Sequence, residues 1–540
     1  MSPLASSSVF TGRPSGMSSQ TLSGPERQVS LRDWIAVCGG MLGAFMAVLD
    51  IQITNASLKE IAGGLGASVD EGSWISTAYL IAEIVVIPLT AFFGPVFSLR
   101  RYLVANAALF LTFSVLCGMA TSLPQMILFR AAQGFTGGVM IPTAFSIVFL
   151  KLLPAKRPVG AALFSLTATF APAVGPTLGG WLTETLSWHW IFYVNIPPGL
   201  ILIAAISHGL DPQPMQLGRL RGGDWFGIAC MAVGLGCLEY VLEEGERKDW
   251  FGDPTIQTCA WLAGLFLIAF VAVELTRREP FINLRLLARR GLASACAVNF
   301  ATGLALYGSV FMLPLYLGQV QGYNAQQIGE LFMWMGLPQL AIIPFVPRIM
   351  RWVDPRLLIA FGVAVFAASC FMNTSMSAGT AGPQLRWAQM VRALGQPFIL
   401  SPLASLATAG IAPAEAGSAS ALFNIMRNLG GSIGIAALST LITMREQYHF
   451  SVIAERMTRN GLVTQERIAA LAARFGTEGA GSEVARTRAI AAMGNWVRRD
   501  ASVMAYADCY FVIGAALLLS LFAVVFLARP RSGPAGGGGH

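Results

Sequence analysis

Charge is what this sequence lacks most. Only 12% of its 540 residues are Asp, Glu, Lys or Arg, against about 25% in an ordinary soluble domain. With 55% hydrophobic residues and a mean hydropathy of +0.61, that scarcity excludes a soluble globular chain. The eight cysteines (Cys38, Cys117, Cys230, Cys237, Cys259, Cys296, Cys370 and Cys509) lie inside apolar segments with no CxxC pair. They read as small packing residues, which excludes a zinc module or a disulfide framework. The four histidines are scattered and form no HExxH. No Walker A pattern is present, so the sequence offers no ATP chemistry, and no cofactor or metal is expected. The net charge of +8 follows the placement of basic loops and implies no nucleic-acid partner.

What is present is apolar length. Windows long enough to cross a bilayer recur at 33–56, 73–97, 102–121, 124–150, 159–182, 190–210, 224–243, 255–275, 292–318, 327–347, 356–376, 386–410, 417–441 and 502–527. The expectation is an all-α polytopic membrane protein with 14 transmembrane helices. Span 10 is broken by Pro338, Pro344 and Pro347. Basic residues collect on one side, at Arg100 and Arg101; Lys151, Lys156 and Arg157; Arg219 and Arg221; Arg277 to Arg290; and Arg348 to Arg356. The positive-inside rule therefore places both termini in the cytoplasm.

Two short matches repeat at nearly one interval. Arg130-Ala131-Ala132-Gln133 and Arg392-Ala393-Leu394-Gly395-Gln396 lie 262 positions apart, and Ala162-Leu163-Phe164 recurs 259 positions on as Ala421-Leu422-Phe423. Duplicated halves are a recurrent transporter plan. The expected organisation is a disordered tail at 1–32, a six-helix half at 33–210, a two-helix insertion at 211–285, a second six-helix half at 286–527, and a Gly-rich tail at 528–540. This is a 6+2+6 arrangement. Residues 442–501 form a long outer loop with nine arginines and six acids. One candidate amphipathic helix there carries Ile468, Leu471, Ala472 and Phe475 on one face. A second carries Ile490, Met493, Trp496 and Val497. Helices lying on the membrane or on the protein are favoured over a docking surface for a partner.

Charges inside the spans are the functional candidates, because they are costly in hydrocarbon. Asp50 lies about 25 Å along span 1 from its cytoplasmic start, and Arg130 about 9 Å below the outer surface on span 4. Both fall in the outer third and can meet if those spans are neighbours. A carboxylate beside an arginine can bind and release a proton as the pair separates. The alternative is a fixed ion pair joining two helices; proton coupling is favoured. Glu83 is a second buried acid, about 15 Å deep. A lone buried carboxyl suits a proton site or a contact to a cationic substrate, and equally a wet wall with no coupling role. Arg427, with Asn424 and Asn428 beside it, lies near the midplane of span 13, for anionic substrate groups or for helix carbonyls. Arg392 is the repeat counterpart of Arg130. Glu239 lies outside the repeated halves and carries little weight. Gly134 after Arg130, and Gly175, Pro176, Gly179 and Gly180 in span 5, read as close-packing and hinge residues.

Several stretches together resemble the major facilitator superfamily, and within it the fourteen-span drug:proton antiporters of the EmrB/QacA type. They are Leu49-Asp50-x-x-Ile53-x-Asn55, Arg130-x-x-Gln133-Gly134, Gly175-Pro176-x-x-Gly179-Gly180, Trp188-x-Trp190-Ile191-Phe192-x-x-Asn195-Ile196-Pro197 and Arg427-x-x-x-Gly431-Ser432-Ile433-Gly434. The resemblance runs from about residue 30 to the end. It implies an exporter of lipophilic small molecules driven by proton re-entry, with Asp50, Arg130 and Glu83 in coupling. Asn55, Gln133, Arg392, Asn424 and Arg427 are its substrate-cavity candidates. It also implies an inner-membrane location, an EmrA-like periplasmic adaptor and an outer-membrane channel. One motif departs. Between spans 2 and 3 the family has an acid before its basic cluster, whereas this chain reads Gly94-Pro95-Val96-Phe97-Ser98-Leu99-Arg100-Arg101. The charge relay of that gate is then absent or made elsewhere. The rival readings are an exporter of one metabolite such as a siderophore or fatty acid, a passive channel, and a membrane transferase.

Overall fold

The computed structural model describes residues 29–153, 156–277, 280–407, 411, 415–457, 461–477 and 482–527. The expected tails at 1–28 and 528–540 lie outside them. The described residues form helices joined by turns and loops, with no strand among them, and every predicted apolar window overlaps a helix.

In the first half these are α1 (Leu31–Ala56), α2 (Trp74–Phe97), α3 (Leu99–Gly118), α4 (Leu123–Lys151), α5 (Arg157–Thr185) and α6 (Trp190–Gly209). Next come α7 (Trp225–Glu244) and α8 (Pro254–Thr276). The second half holds α9 (Arg290–Gln319), α10 (Gln326–Ile349), α11 (Pro355–Met372), α12 (Gly382–Ala407) and α13 (Ala416–Arg456). It ends with α14 (Leu462–Thr477) and α15 (Ser482–Val525). Among the described residues, twelve helices are long and apolar enough to cross a membrane, and α5 makes thirteen if its two parts are counted as one span. The remaining predicted span, α12, carries Arg386, Arg392, Gln389 and Gln396, which dilute its apolar character.

Proline explains the breaks. The α-helical ladder of α4 is interrupted at Gly138 and Val139. Pro142 has no N–H to give to the Gly138 carbonyl four residues earlier. In α5 the parts Arg157–Pro172 and Val174–Thr185 meet at 42°. Pro176 withdraws the same bond from the carbonyl of Pro172.

Packing repeats between the halves. α1 packs on α4, α5 and α6, as α9 packs on α12, α13 and α15. α2 meets α4 as α10 meets α12, and α3 meets α6 as α11 meets α15. The halves touch along two lines, α5 with α10 and α2 with α13, which the repeat exchanges. They differ in one respect: α7 lies against both α2 and α13 and fills the flank of the second line. α8 packs mainly on α7, and its Trp261 and Ile268 are more than two-thirds exposed, as expected of a lipid-facing helix.

The outer loop differs from the expectation. α13 runs on to Arg456, and the second expected amphipathic helix is the beginning of α15. The two transmembrane helices thus project as a coil, with α14 packed on α15. Arg445 and His449 of α13 reach Asp508 of α15 at 2.5 and 2.7 Å. The buried stripe on α15 is Ala485, Ala489, Met493 and Val497, whereas Ile490 and Trp496 are exposed. Ala485 and Ala489 let the start of α15 approach its neighbours closely, and Met493 and Val497 continue the same buried face.

Candidate functional site

Asp50 and Arg130 meet. α1 and α4 are neighbours, and Arg130 Nη1 lies 2.5 Å from Asp50 Oδ2 with both side chains 1% exposed. The carboxylate has two further donors: Gln133 Nε2 at 3.1 Å and Asn195 Nδ2 at 2.7 Å, both to Oδ1. Asn195 also donates to Ser114 Oγ at 3.1 Å. Arg130 donates to Gln133 Oε1 at 2.9 Å and through Nε to the Ile75 carbonyl at 3.3 Å. Its guanidinium carbon lies 4.3 Å from the centre of the Tyr79 ring. α4 and Asn195 of α6 thus bind the α1 carboxylate directly, while α2 supports Arg130 and α3 supports Asn195. Gly134 permits this, because a Cβ there would overlap the Tyr79 carbonyl.

Asn195, Ser114 and Tyr79 were not recognised from sequence as parts of this cluster. Asn195 sits in one of the family-like stretches, directly before Ile196-Pro197. That position was the available signal, but nothing in it shows that the amide points at Asp50.

Glu83 is elsewhere. It lies one helical turn from Tyr79 on α2 and faces a cavity between the halves. The cavity has a volume of about 90 Å³. Its wall combines Gln52 and Asn55 of α1, Glu83 of α2, Glu239 and Glu243 of α7, and Tyr307, Asn428 and Ser432 of the second half. α1 thus holds Asp50 in the buried cluster and turns Gln52 and Asn55 to the cavity.

Among the substrate-cavity candidates, Asn55 is on the wall, where its Oδ1 accepts from Ser76 at 2.6 Å. Gln133 belongs to the Asp50 cluster. Asn424 is buried, donating to the Ser420 carbonyl at 2.9 Å. Arg427 packs behind the wall, donating to Asn424 Oδ1 at 3.2 Å with its guanidinium 5.4 Å from the Phe164 ring. Its neighbour Asn428 takes the wall position instead, since one residue turns a helix by about 100°. Arg392 lies inside the second half. It donates to the Leu306 carbonyl at 3.3 Å and, with the Gln396 amide oriented to satisfy its neighbours, to Gln396 at 2.9 and 3.2 Å. No acid answers it among the described residues, so the repeat has kept the arginine without its carboxylate.

The span 5 motif packs inward. Cβ atoms at Gly175 and Gly179 would meet Gln52 and Ile53 of α1, so these glycines close a contact within the first half. Gly180 is buried beside them, and Pro176 sits just beyond the bend. Thr177 makes the contact between halves, against Gly329 of α10. At the opposite end of the cavity Phe145 and Phe423, one from each half, stack at 6.1 Å one turn from the lining residue Ile141. Near the same end of the half, Lys151 pairs with Asp33 at 3.3 Å and Asp211 at 3.0 Å, and Arg32 with Asp211 at 2.9 Å; these pairs join α1, α4 and the segment after α6 and do not include Arg100 or Arg101.

Comparison with known proteins agrees with this architecture. Residues 40–435 match the family model described as Major Facilitator Superfamily. The chain is 31% identical over 498 residues to the colistin resistance protein EmrB of Acinetobacter baumannii, covering 92% of this chain and 97% of that protein. It is 30% identical over 508 residues to the fatty acid resistance protein FarB of Neisseria gonorrhoeae, covering 94% and 98%. The crystal structure of the human organic anion transporter MFSD10 (TETRAN) shares the fold at a TM-score of 0.58 and 12% identity, covering 91% of this chain and 99% of that one.

Proposed function

The chain belongs to the Major Facilitator Superfamily, and from that premise we propose that it exports drugs and other lipophilic small molecules by alternating access, driven by protons moving inward. The resistance names of its relatives support the export of toxic compounds. Location in an inner membrane, with an adaptor meeting the outer projection of α13, α14 and α15, belongs to the same proposal.

One observation carries the coupling. α1 presents Asp50 to a buried basic partner on one face and Gln52 and Asn55 to the cavity on another. A proton on Asp50 removes the charge that holds Arg130. The donors Gln133 and Asn195 would then have to share a neutral carboxyl, and the tie between α1 and α4 weakens. Because α1 also packs on Gly175 and Gly179 of α5, a shift of α1 reaches the contact of α5 with α10. A change of charge in one half thereby biases the cavity between the halves.

The test is efflux from an exporter-deficient host across a panel of drugs, with and without an uncoupler. Efflux of several unrelated compounds that stops with the uncoupler is expected. Efflux that survives collapse of the gradient overturns the antiport reading. The relative named for fatty acid resistance favours a second reading, a narrower exporter of one metabolite class. Activity confined to one member of the panel would select it.

A further inference from the structure

The central cavity is acidic in a way the repeat does not explain. Glu83, Glu239 and Glu243 line it, and no Lys, Arg or His does. Two of the three acids come from α7, outside the repeated halves.

Three other buried acids among the described residues are ion-paired: Asp50 has Arg130, Asp224 has Arg277 at 2.5 Å, and Glu244 has Arg247. Glu274 on α8, by contrast, has no ion pair among the described residues and accepts from the Ile282 N–H at 3.1 Å. The cavity acids have no ion pair among the described residues. Glu239 is 2% exposed, and its Oε1 accepts from Ser432 Oγ at 2.7 Å. Its Oε2 has no hydrogen-bond partner and sits in the cavity wall. The Oδ1 of Asn428, on the same wall, is likewise unpartnered. Buried acceptors without donors are costly, so such a cluster marks a place that a ligand completes. Arg427, behind the wall, hydrogen-bonds the lining Tyr307 and acts on Glu83, but no basic side chain acts on Glu239 or Glu243. What is missing beside these two is positive charge.

The rest of the wall says what kind. Val48, Ile51, Leu80, Ile84, Ile141 and Ile435 are apolar, and Tyr307 adds an aromatic ring. A small hydrated metal ion would want converging oxygens and water, and no group of metal-ligating side chains is present among the described residues. An organic cation with a delocalised or alkylated charge matches apolar walls, an aromatic face and unpaired carboxylates together.

We propose that α7 is part of the transport site, and that Glu239 and Glu243, with Glu83 opposite, form a binding site for lipophilic organic cations. The site rests on the exporter reading given above. The inserted helix is then more than filler on the α2–α13 flank. Through Ser432 it ties the acid to α13, and through the cavity it faces α2, so the cation would bridge all three parts of the fold.

The test uses equilibrium binding to the purified full chain, with no gradient, so that it does not depend on coupling. Tetraphenylphosphonium and tetraphenylborate have the same shape and opposite charge. The wild type is expected to bind the phosphonium and to be indifferent to the borate. Glu239→Gln with Glu243→Gln should weaken phosphonium binding at least tenfold. Glu246→Gln, outside the cavity wall, should leave it unchanged. Equal affinity for both ions, or wild-type affinity in the double variant, overturns the proposal. If the double variant does not fold, Asn55→Cys supplies the reading. A cationic thiol reagent should label it at least tenfold faster than an anionic one, and phosphonium should protect it. Equal labelling rates or no protection count against the site. Charge-selective binding together with uncoupler-resistant efflux would instead sink the antiport reading and leave this one standing.

Discussion

Replacing Asp50 by Asn is the most informative single perturbation. The substitution keeps the shape and removes the charge. In the wild type the carboxylate accepts from Arg130, Gln133 and Asn195 at 2.5, 3.1 and 2.7 Å. An amide offers one oxygen, and its own NH₂ faces donors. Breaking a buried pair by removing one partner costs about 3–5 kcal/mol, because the remaining charge stays uncompensated. A proton crossing 100 mV delivers about 2.3 kcal/mol. The two energies are of one size, so discharging Asp50 is enough to turn a proton's free energy into a conformational bias. At about 1.4 kcal/mol per tenfold, 3–5 kcal/mol moves a two-state balance by roughly a hundred- to several-thousand-fold. The assay compares gradient-driven accumulation in inside-out vesicles with exchange of labelled for unlabelled substrate at zero gradient. Asp50→Asn should abolish the first and retain the second. The double variant Asp50→Asn with Arg130→Gln, which leaves no orphaned charge, should recover stability without recovering accumulation. Accumulation at the wild-type level in Asp50→Asn would refute the reasoning.

Asn195→Ala removes a donor to the same carboxylate and should lower stability by about 1.5–3 kcal/mol, the range for hydrogen bonds to charged groups, read from thermal unfolding of the purified protein. Gly134→Leu should abolish transport and depress folded yield, since even a Cβ there overlaps the Tyr79 carbonyl, whereas Gly264→Ala, with open space around it, should be neutral in both measurements. Phe145→Ala opens the stacked pair at the end of the cavity. It should cost about 3–5 kcal/mol of stability by the large-to-small rule and raise passive dye leak through reconstituted protein.

Much of this was legible because a bilayer imposes length on helices. The apolar windows predict the helices, and counting 1.5 Å per residue from opposite faces puts Asp50 and Arg130 at one depth, where they meet. Depth does not give azimuth. Arg427 and Asn428 lie at nearly the same depth, yet only Asn428 reaches the cavity wall. The amide of Asn195 is 145 positions from Asp50, and no local pattern reports a contact of that range. Glu239 looked peripheral because repeats say which helices correspond, whereas its importance comes from where an unrepeated helix docks. The projection of α13 and α15 is not legible in sequence, because the apolar pattern stops at Arg498, Arg499 and Asp500 while the backbone continues unbroken into the last span.

The central claim is that substrate leaves as protons enter through Asp50. It is tested most directly in proteoliposomes holding the wild type and a pH-sensitive dye, by adding substrate on the side from which it is taken up. The account predicts proton movement opposite to the substrate, abolished in Asp50→Asn. Substrate movement with no accompanying proton flux, or equal flux in the variant, would contradict it.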